Sequence, residues 1–131
     1  MLHIKIVMLL LLVSNTLFGA SSDAYTHVQI CKAALSSVMG VDHSAIQTEK
    51  RKHGVVYLQY RIEGENDRYD YKCRVEGNRV LWGSAKGRWR TKKGDAVVTF
   101  IVSNGNVTIT ERFNDEPSSQ GNKTTFPLSQ L

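Results

Sequence analysis

Tyr69 to Arg90 reads YDYKCRVEGNRVLWGSAKGRWR, and the pattern of this stretch decides the fold. Tyr69, Tyr71, Cys73 and Val75 alternate with Arg68, Asp70, Lys72, Arg74 and Glu76. Successive side chains leave a strand on opposite sides, so a period of two marks a strand with one buried and one wet face. Gly77-Asn78 occupies the place of a two-residue hairpin turn, since both residues tolerate positive φ. Closing the strands around it pairs Val75 with Val80 and Cys73 with Trp82. The second pair sets an indole beside one of the chain's 2 cysteines.

Working outward, Val56, Leu58, Tyr60 and Ile62 alternate with Tyr57, Gln59 and Arg61, which predicts an earlier strand. Gly64-Glu65-Asn66-Asp67 joins it to the central hairpin with strong turn chemistry. After Trp82 the chain loosens at Gly83 to Gly87, passes Arg88-Trp89-Arg90, and turns at Lys92-Lys93-Gly94-Asp95. Ala96, Val98, Phe100 and Val102 predict one face of a fourth strand. Asn104-Gly105 is the strongest hairpin signal in the chain, and it pairs Val102 with Val107 and Phe100 with Ile109. The closing strand runs to about Phe113.

Upstream, Ala24, Val28, Cys31, Leu35 and Val38 follow at steps of four and three, the stripe of an amphipathic helix. Ser22 or Asp23 is a suitable N-cap and Gly40 a suitable stop. Val41 to Gly54 reads as a polar connection. Its run Lys50-Arg51-Lys52-His53 is the densest basic cluster before the central hairpin and reads as a solvated approach to a strand. From Asn114 the chain is polar and aperiodic, which predicts a mobile tail over 114–131 docking locally through Phe126. The expected architecture is α+β: an N-terminal helix packed on an antiparallel meander of about five strands.

The first twenty residues carry Lys5 and no acid, then an apolar run from Ile6 to Val13, then small residues. That is the pattern of a secretory signal peptide, with cleavage expected between about residues 19 and 24. The run is too short to span a bilayer. The remainder, 21–113, is one domain with a modest core. Two cysteines in an exported chain most simply pair with each other. A Cys31–Cys73 bond closes a loop of about 43 residues, worth on the order of 4 kcal/mol in the chain-entropy model. Loss of Lys5 lowers the formal net charge from +5 to +4, a mild excess that permits an anionic partner.

Catalytic patterns are sparse. His27, His43 and His53 fall on the helix, a loop and the approach to a strand, with no spacing that builds a metal site. No cofactor loop or nucleophile motif stands out. Small basic exported α+β domains include microbial ribonucleases, but those need a general acid and base converging on one sheet face. No histidine lies beyond residue 53 to serve there. The stronger candidate is the outer face of the hairpin, where Lys72, Arg74 and Arg79 project opposite to Cys73 and Trp82. Arg88 and Arg90 join them if Trp89 packs inward; if Trp89 faces out, Arg88-Trp89-Arg90 could stack on a sugar or base. Guanidinium groups on a rigid sheet suit phosphate, sulfate or carboxylate groups. Cross-strand pairing with Asp70 and Glu76 would reduce the same face to an ordinary wet surface.

CKAALSSVMG in the helix, YKCRVEGNRVLW in the hairpin and GRWR after it resemble a group of small exported bacterial proteins of no established function. The resemblance covers about Ile30 to Arg90. It implies a bacterial envelope or secreted location, agrees with a disulfide, and brings no catalytic residues. The expected function is a non-enzymatic, exported binding or interaction module, periplasmic or secreted. Its partner, an anionic polymer or an envelope protein, is expected to be anionic rather than cationic. No cofactor, metal or integral membrane span is expected in the mature chain. The alternatives are a small secreted hydrolase, above all a nuclease, and an accessory subunit of an envelope complex.

Overall fold

A computed structural model describes residues 19–113 and 121–131, with side chains from Tyr25 onward. The expected leader up to residue 18, and residues 114–120 of the expected tail, lie outside the described residues. The helix α1 spans Gly19–Met39, so Ser22 and Asp23, expected at its N-cap, lie within it. Gly40 ends it with φ +66° and donates its N–H to the Ser36 carbonyl at 2.9 Å. Only glycine takes that left-handed conformation at low cost.

Seven strands follow in one antiparallel sheet whose spatial order equals the chain order. They are β1 (Gln47–Lys52), β2 (Val55–Arg61), β3 (Arg68–Glu76), β4 (Arg79–Ser84), β5 (Ala96–Ser103), β6 (Asn106–Phe113) and β7 (Asn122–Pro127). The expectation of about five strands is therefore an undercount, missing β1 and β7. Every residue of β1 is exposed, and the first four residues of β7 are exposed too. Periodicity registers side-chain burial, whereas edge strands such as these are held by backbone hydrogen bonds. The mobile tail is corrected accordingly from Asn122 onward. Phe126 does dock, being buried opposite Val107.

The register of the central hairpin is the expected one, with Val75 opposite Val80 and Cys73 opposite Trp82. Gly77 alone in its turn takes positive φ. Asn104 and Gly105 both do, and Val102 and Phe100 face Val107 and Ile109 as the pattern predicts. An unanticipated turn, His53-Gly54 with φ 52° and 76°, links β1 to β2.

The sheet buries one face against α1. Ile30, Cys31, Ala33, Ala34 and Leu35 meet Val56, Leu58, Tyr60, Cys73, Val80, Val98, Val107, Ile109 and Phe126. Each buried Val, Leu or Ile contributes about 1.5–3 kcal/mol. Cys31 and Cys73 form a disulfide between Cα atoms 5.8 Å apart, stapling the middle of α1 to β3. Gln29 donates from Nε2 to the Leu128 carbonyl at 2.7 Å, tying the same helix to the C-terminus. No described helix is long and apolar enough to cross a membrane.

The seam between β4 and β5 is narrow. Only Arg79 with Thr99 and Val80 with Val98 pair across it. Beyond Val80 the two strands part, and residues 85–95 fill the gap.

Candidate functional site

The filling segment is held by backbone contacts that a side chain would prevent. Ala85 donates to the Asp70 carbonyl and Gly87 to the Ser84 carbonyl, both at 2.9 Å. Gly83 then bridges to Trp89, and Arg90 donates its N–H to the Trp82 carbonyl at 2.8 Å. A Cβ on Gly83 would collide with the carbonyl oxygen of Arg88. Glycine is what lets the returning backbone lie against β4.

A side-chain clasp closes the far end. Arg88 donates to both carboxylate oxygens of Asp95, at 2.6 and 3.1 Å, and the Lys92 N–H adds a third bond at 3.0 Å. The Arg88 guanidinium, helped by that backbone donor, holds the Asp95 carboxyl down to about 2. Hydrogen bonds and a cation favour the charged form of a carboxyl. Arg90 is a distant third partner, 4.0 Å from Asp95.

With the segment fixed, a cavity of about 690 Å³ opens beside the C-terminal end of α1. Met39, Leu58, Tyr69, Tyr71 and Trp82 supply its apolar walls, and Glu49, Lys50, Arg68, Asp70, Lys86 and Arg90 its charges. The size suits a small organic ligand. Tyr60 stacks on Tyr69 and Tyr71 at 5.3 and 5.8 Å, and Tyr71 tilts against Trp82 at 6.2 Å. These rings brace one another, so the aromatic wall is rigid before a ligand arrives. Burial, with a hydrogen bond to Tyr71, pushes the Tyr60 hydroxyl up to about 12.

The acids of the cavity are already engaged. Arg68 lies 3.4 Å from Glu49 and 3.1 Å from Asp70. Lys50 and Lys86 have no carboxylate within 4.0 Å among the described residues. The Arg90 guanidinium sits over the Trp82 ring at 5.8 Å, a cation–π contact. Trp82 Nε1 is buried without a hydrogen-bond partner among the described residues. An unpaired buried donor costs free energy that a ligand acceptor would recover.

The five cations expected on one outer face, and Trp89 among them in sequence, are divided. Lys72 and Trp89 come together, with Nζ 4.7 Å from the ring centroid and 2.7 Å from the Gly87 carbonyl. Trp89 therefore shares the face of Lys72, opposite to Trp82, while Arg90 turns to the Trp82 side. Arg74 is paired with Glu76 at 2.8 Å, as an ordinary wet face would have it. Arg79 stands opposite Thr99, its Nε buried without a partner among the described residues. Arg88 is consumed by the clasp. The histidines stay apart: His27 lies on α1, His53 in the first hairpin turn, and His43 edge-on to Phe126 at 6.0 Å.

Periodicity had already turned Tyr69, Tyr71 and Trp82 inward, but nothing in the pattern marks Lys86 or Met39. Their role depends on where α1 stops and how residues 85–95 return. No family model matches the chain, and neither does any curated protein or solved structure. The local geometry alone therefore supports a function.

Proposed function

We propose that the protein is a small exported binding module whose cavity takes an anionic ligand with a flat apolar part. The observation that carries this is the pairing of a braced aromatic wall with an unbalanced cationic rim. Tyr69, Tyr71 and Trp82 offer ring surface, while Lys86 and Arg90 offer charge: Glu49 and Asp70 are held by Arg68, and Asp95, held by Arg88, reaches Arg90 only at 4.0 Å. Flat rings suit stacking, and cations beside a partly desolvated wall suit a carboxylate, sulfonate or phosphate. Export rests on the leader pattern and accords with the buried disulfide.

Anilinonaphthalene sulfonate is a suitable first probe, carrying both features. Its binding to the purified oxidised protein should quench tryptophan fluorescence and weaken in a Lys86→Gln/Arg90→Gln variant. Neutral anilinonaphthalene should bind more weakly. Equal binding of the neutral and charged probes would remove the cationic rim from the proposal, and no binding of either would remove the cavity.

A further inference from the structure

Register places one line of side chains across four strands. Lys50 is opposite Tyr57, Tyr57 opposite Lys72, Lys72 opposite Gly83, and Gly83 bridges to Trp89. Opposed residues of an antiparallel pair share a face, so Lys50, Tyr57, Lys72 and Trp89 form a single row perpendicular to the strands. Cation and aromatic alternate along it. Lys50 Nζ lies 5.1 Å from the centroid of the Tyr57 ring, and Lys72 Nζ lies 4.7 Å from that of Trp89.

These contacts fix the ammonium groups without neutralising them. Glu49 and Asp70, the neighbouring carboxylates, are taken by Arg68. Neither Lys50 nor Lys72 has an acid within 4.0 Å among the described residues. A lysine normally loses much rotamer freedom on binding an anion. Here the ring holds each stem, so part of that loss is already borne by the fold. Adjacent strands are about 4.8 Å apart, which sets the two lysines about 10 Å apart along the row.

We infer that this row binds a linear acidic polysaccharide bearing a carboxylate on alternate sugars. An extended glycan presents such carboxylates at about the spacing of the two lysines, and sugar rings lie well against the edges of Tyr57 and Trp89. Single-stranded nucleic acid fits less well. It stacks successive bases on successive aromatic rings, whereas Tyr57 and Trp89 are three strand positions apart with lysines over their rings. This goes beyond the small-ligand cavity. Lys50 and Tyr57 border both, but Lys72 and Trp89 do not line the cavity, and Lys86 and Arg90 are not in the row.

The test uses the oxidised full domain and hyaluronan oligosaccharides, with neutral dextran and single-stranded DNA as controls, across a salt titration. Hyaluronan should bind in preference to both, with affinity falling as salt rises. Lys50→Gln/Lys72→Gln should lose roughly tenfold or more in affinity and bind with a weaker dependence on salt. Lys86→Gln/Arg90→Gln should bind hyaluronan like the wild type while losing the small aromatic anion. Trp89→Ala, with the near-ultraviolet signal of Trp82 unchanged, should weaken hyaluronan binding. Absence of hyaluronan binding, or binding untouched by the lysine variant, would overturn the inference and leave the cavity unaffected. Tighter binding of DNA, lost in the same variant, would overturn the glycan in favour of nucleic acid.

Discussion

Gly83→Ala tests whether residues 85–95 are positioned by close backbone approach. The φ of Gly83 lies outside the left-handed region, so alanine suits the local backbone. In isolation the change would stabilise by about 0.4–1 kcal/mol, through a less flexible unfolded chain. Against this, the new Cβ meets the Arg88 carbonyl oxygen. Strain of this kind in a packed site costs about 1–3 kcal/mol. The segment can escape only by leaving β4. It then gives up the Arg90–Trp82 backbone hydrogen bond, worth about 1 kcal/mol, and the Lys72–Trp89 and Arg90–Trp82 ring contacts, about 0.5–1 kcal/mol each. Less the unfolded-chain gain, either route leaves a net loss of about 1–2 kcal/mol. For a domain of this size that lowers the thermal midpoint by roughly 5–10 °C. Gly87→Ala is the control, because the atom nearest its Cβ would be the Ser84 side-chain Cβ, at 3.1 Å, and the Ser84 carbonyl oxygen would lie at an ordinary 3.7 Å. It should cost less than about 1 kcal/mol. Thermal unfolding followed by near-ultraviolet circular dichroism reports stability and both indoles together. A Gly83→Ala protein as stable as the Gly87→Ala control, with its cavity ligand still bound, would refute the role given to this contact.

Replacing both Cys31 and Cys73 by alanine should cost about 4 kcal/mol, visible as a large fall in denaturation midpoint that reducing agent no longer changes. An unreduced wild type should weigh two hydrogens less than the reduced one. Glu111 is half-buried opposite Val98, and desolvation, outweighing a hydrogen bond from Ser37, raises its carboxyl above the ordinary value. A raised folded value means stability present at low pH and lost as pH climbs through it, so Glu111→Gln should raise the thermal midpoint at pH 7 and leave it unchanged near pH 3. An equal gain at both values would place the effect elsewhere. Asp95 behaves in the opposite sense. Its depressed value stabilises above the unfolded range and is lost only as pH falls toward about 2, so Asp95→Asn should loosen the segment at pH 5 and pH 7 alike, read from the Trp89 environment. Tyr60 should ionise near pH 12, seen as a late step in a titration followed by tyrosinate absorbance.

Much of this architecture was legible in residue order. The alternation through Tyr69–Glu76 and the Asn104-Gly105 dipeptide each specify a register, and both registers are those observed. The pairing of the cysteines followed from their number and the expected leader. What escaped notice was structure held by the main chain. QTEKRK in β1 and NKTT in β7 have little to bury, so no side-chain period announces them. The His53-Gly54 turn was hidden because it lacks the Asn-Gly or Asp-Gly pair that marks such hairpins, and a non-glycine residue at positive φ is uncommon. The site was harder still. An outer cationic face on Lys72, Arg74, Arg79, Arg88 and Arg90 assumed that a single parity continues past Trp82. The chain instead reverses at residues 84–87, and the reversal sends Trp89 and Arg90 to different sides. A local break in backbone direction carries no periodic signal.

The narrow seam between β4 and β5 divides the molecule into two parts with unequal ties to the helix. On one side β1–β4 is covalently bound to α1 through Cys73. On the other, β5–β7 is held by apolar packing and by the Gln29 bond to Leu128. Opening the second part breaks two ladder pairs, the Phe100 N–H bond to the Asn78 carbonyl and the Ser37–Thr124 contact, but no covalent bond. Amide exchange should therefore proceed in two tiers: the β5–β7 amides become labile together, at a free energy below that of global unfolding, while those of α1 and β3 exchange only with the whole chain.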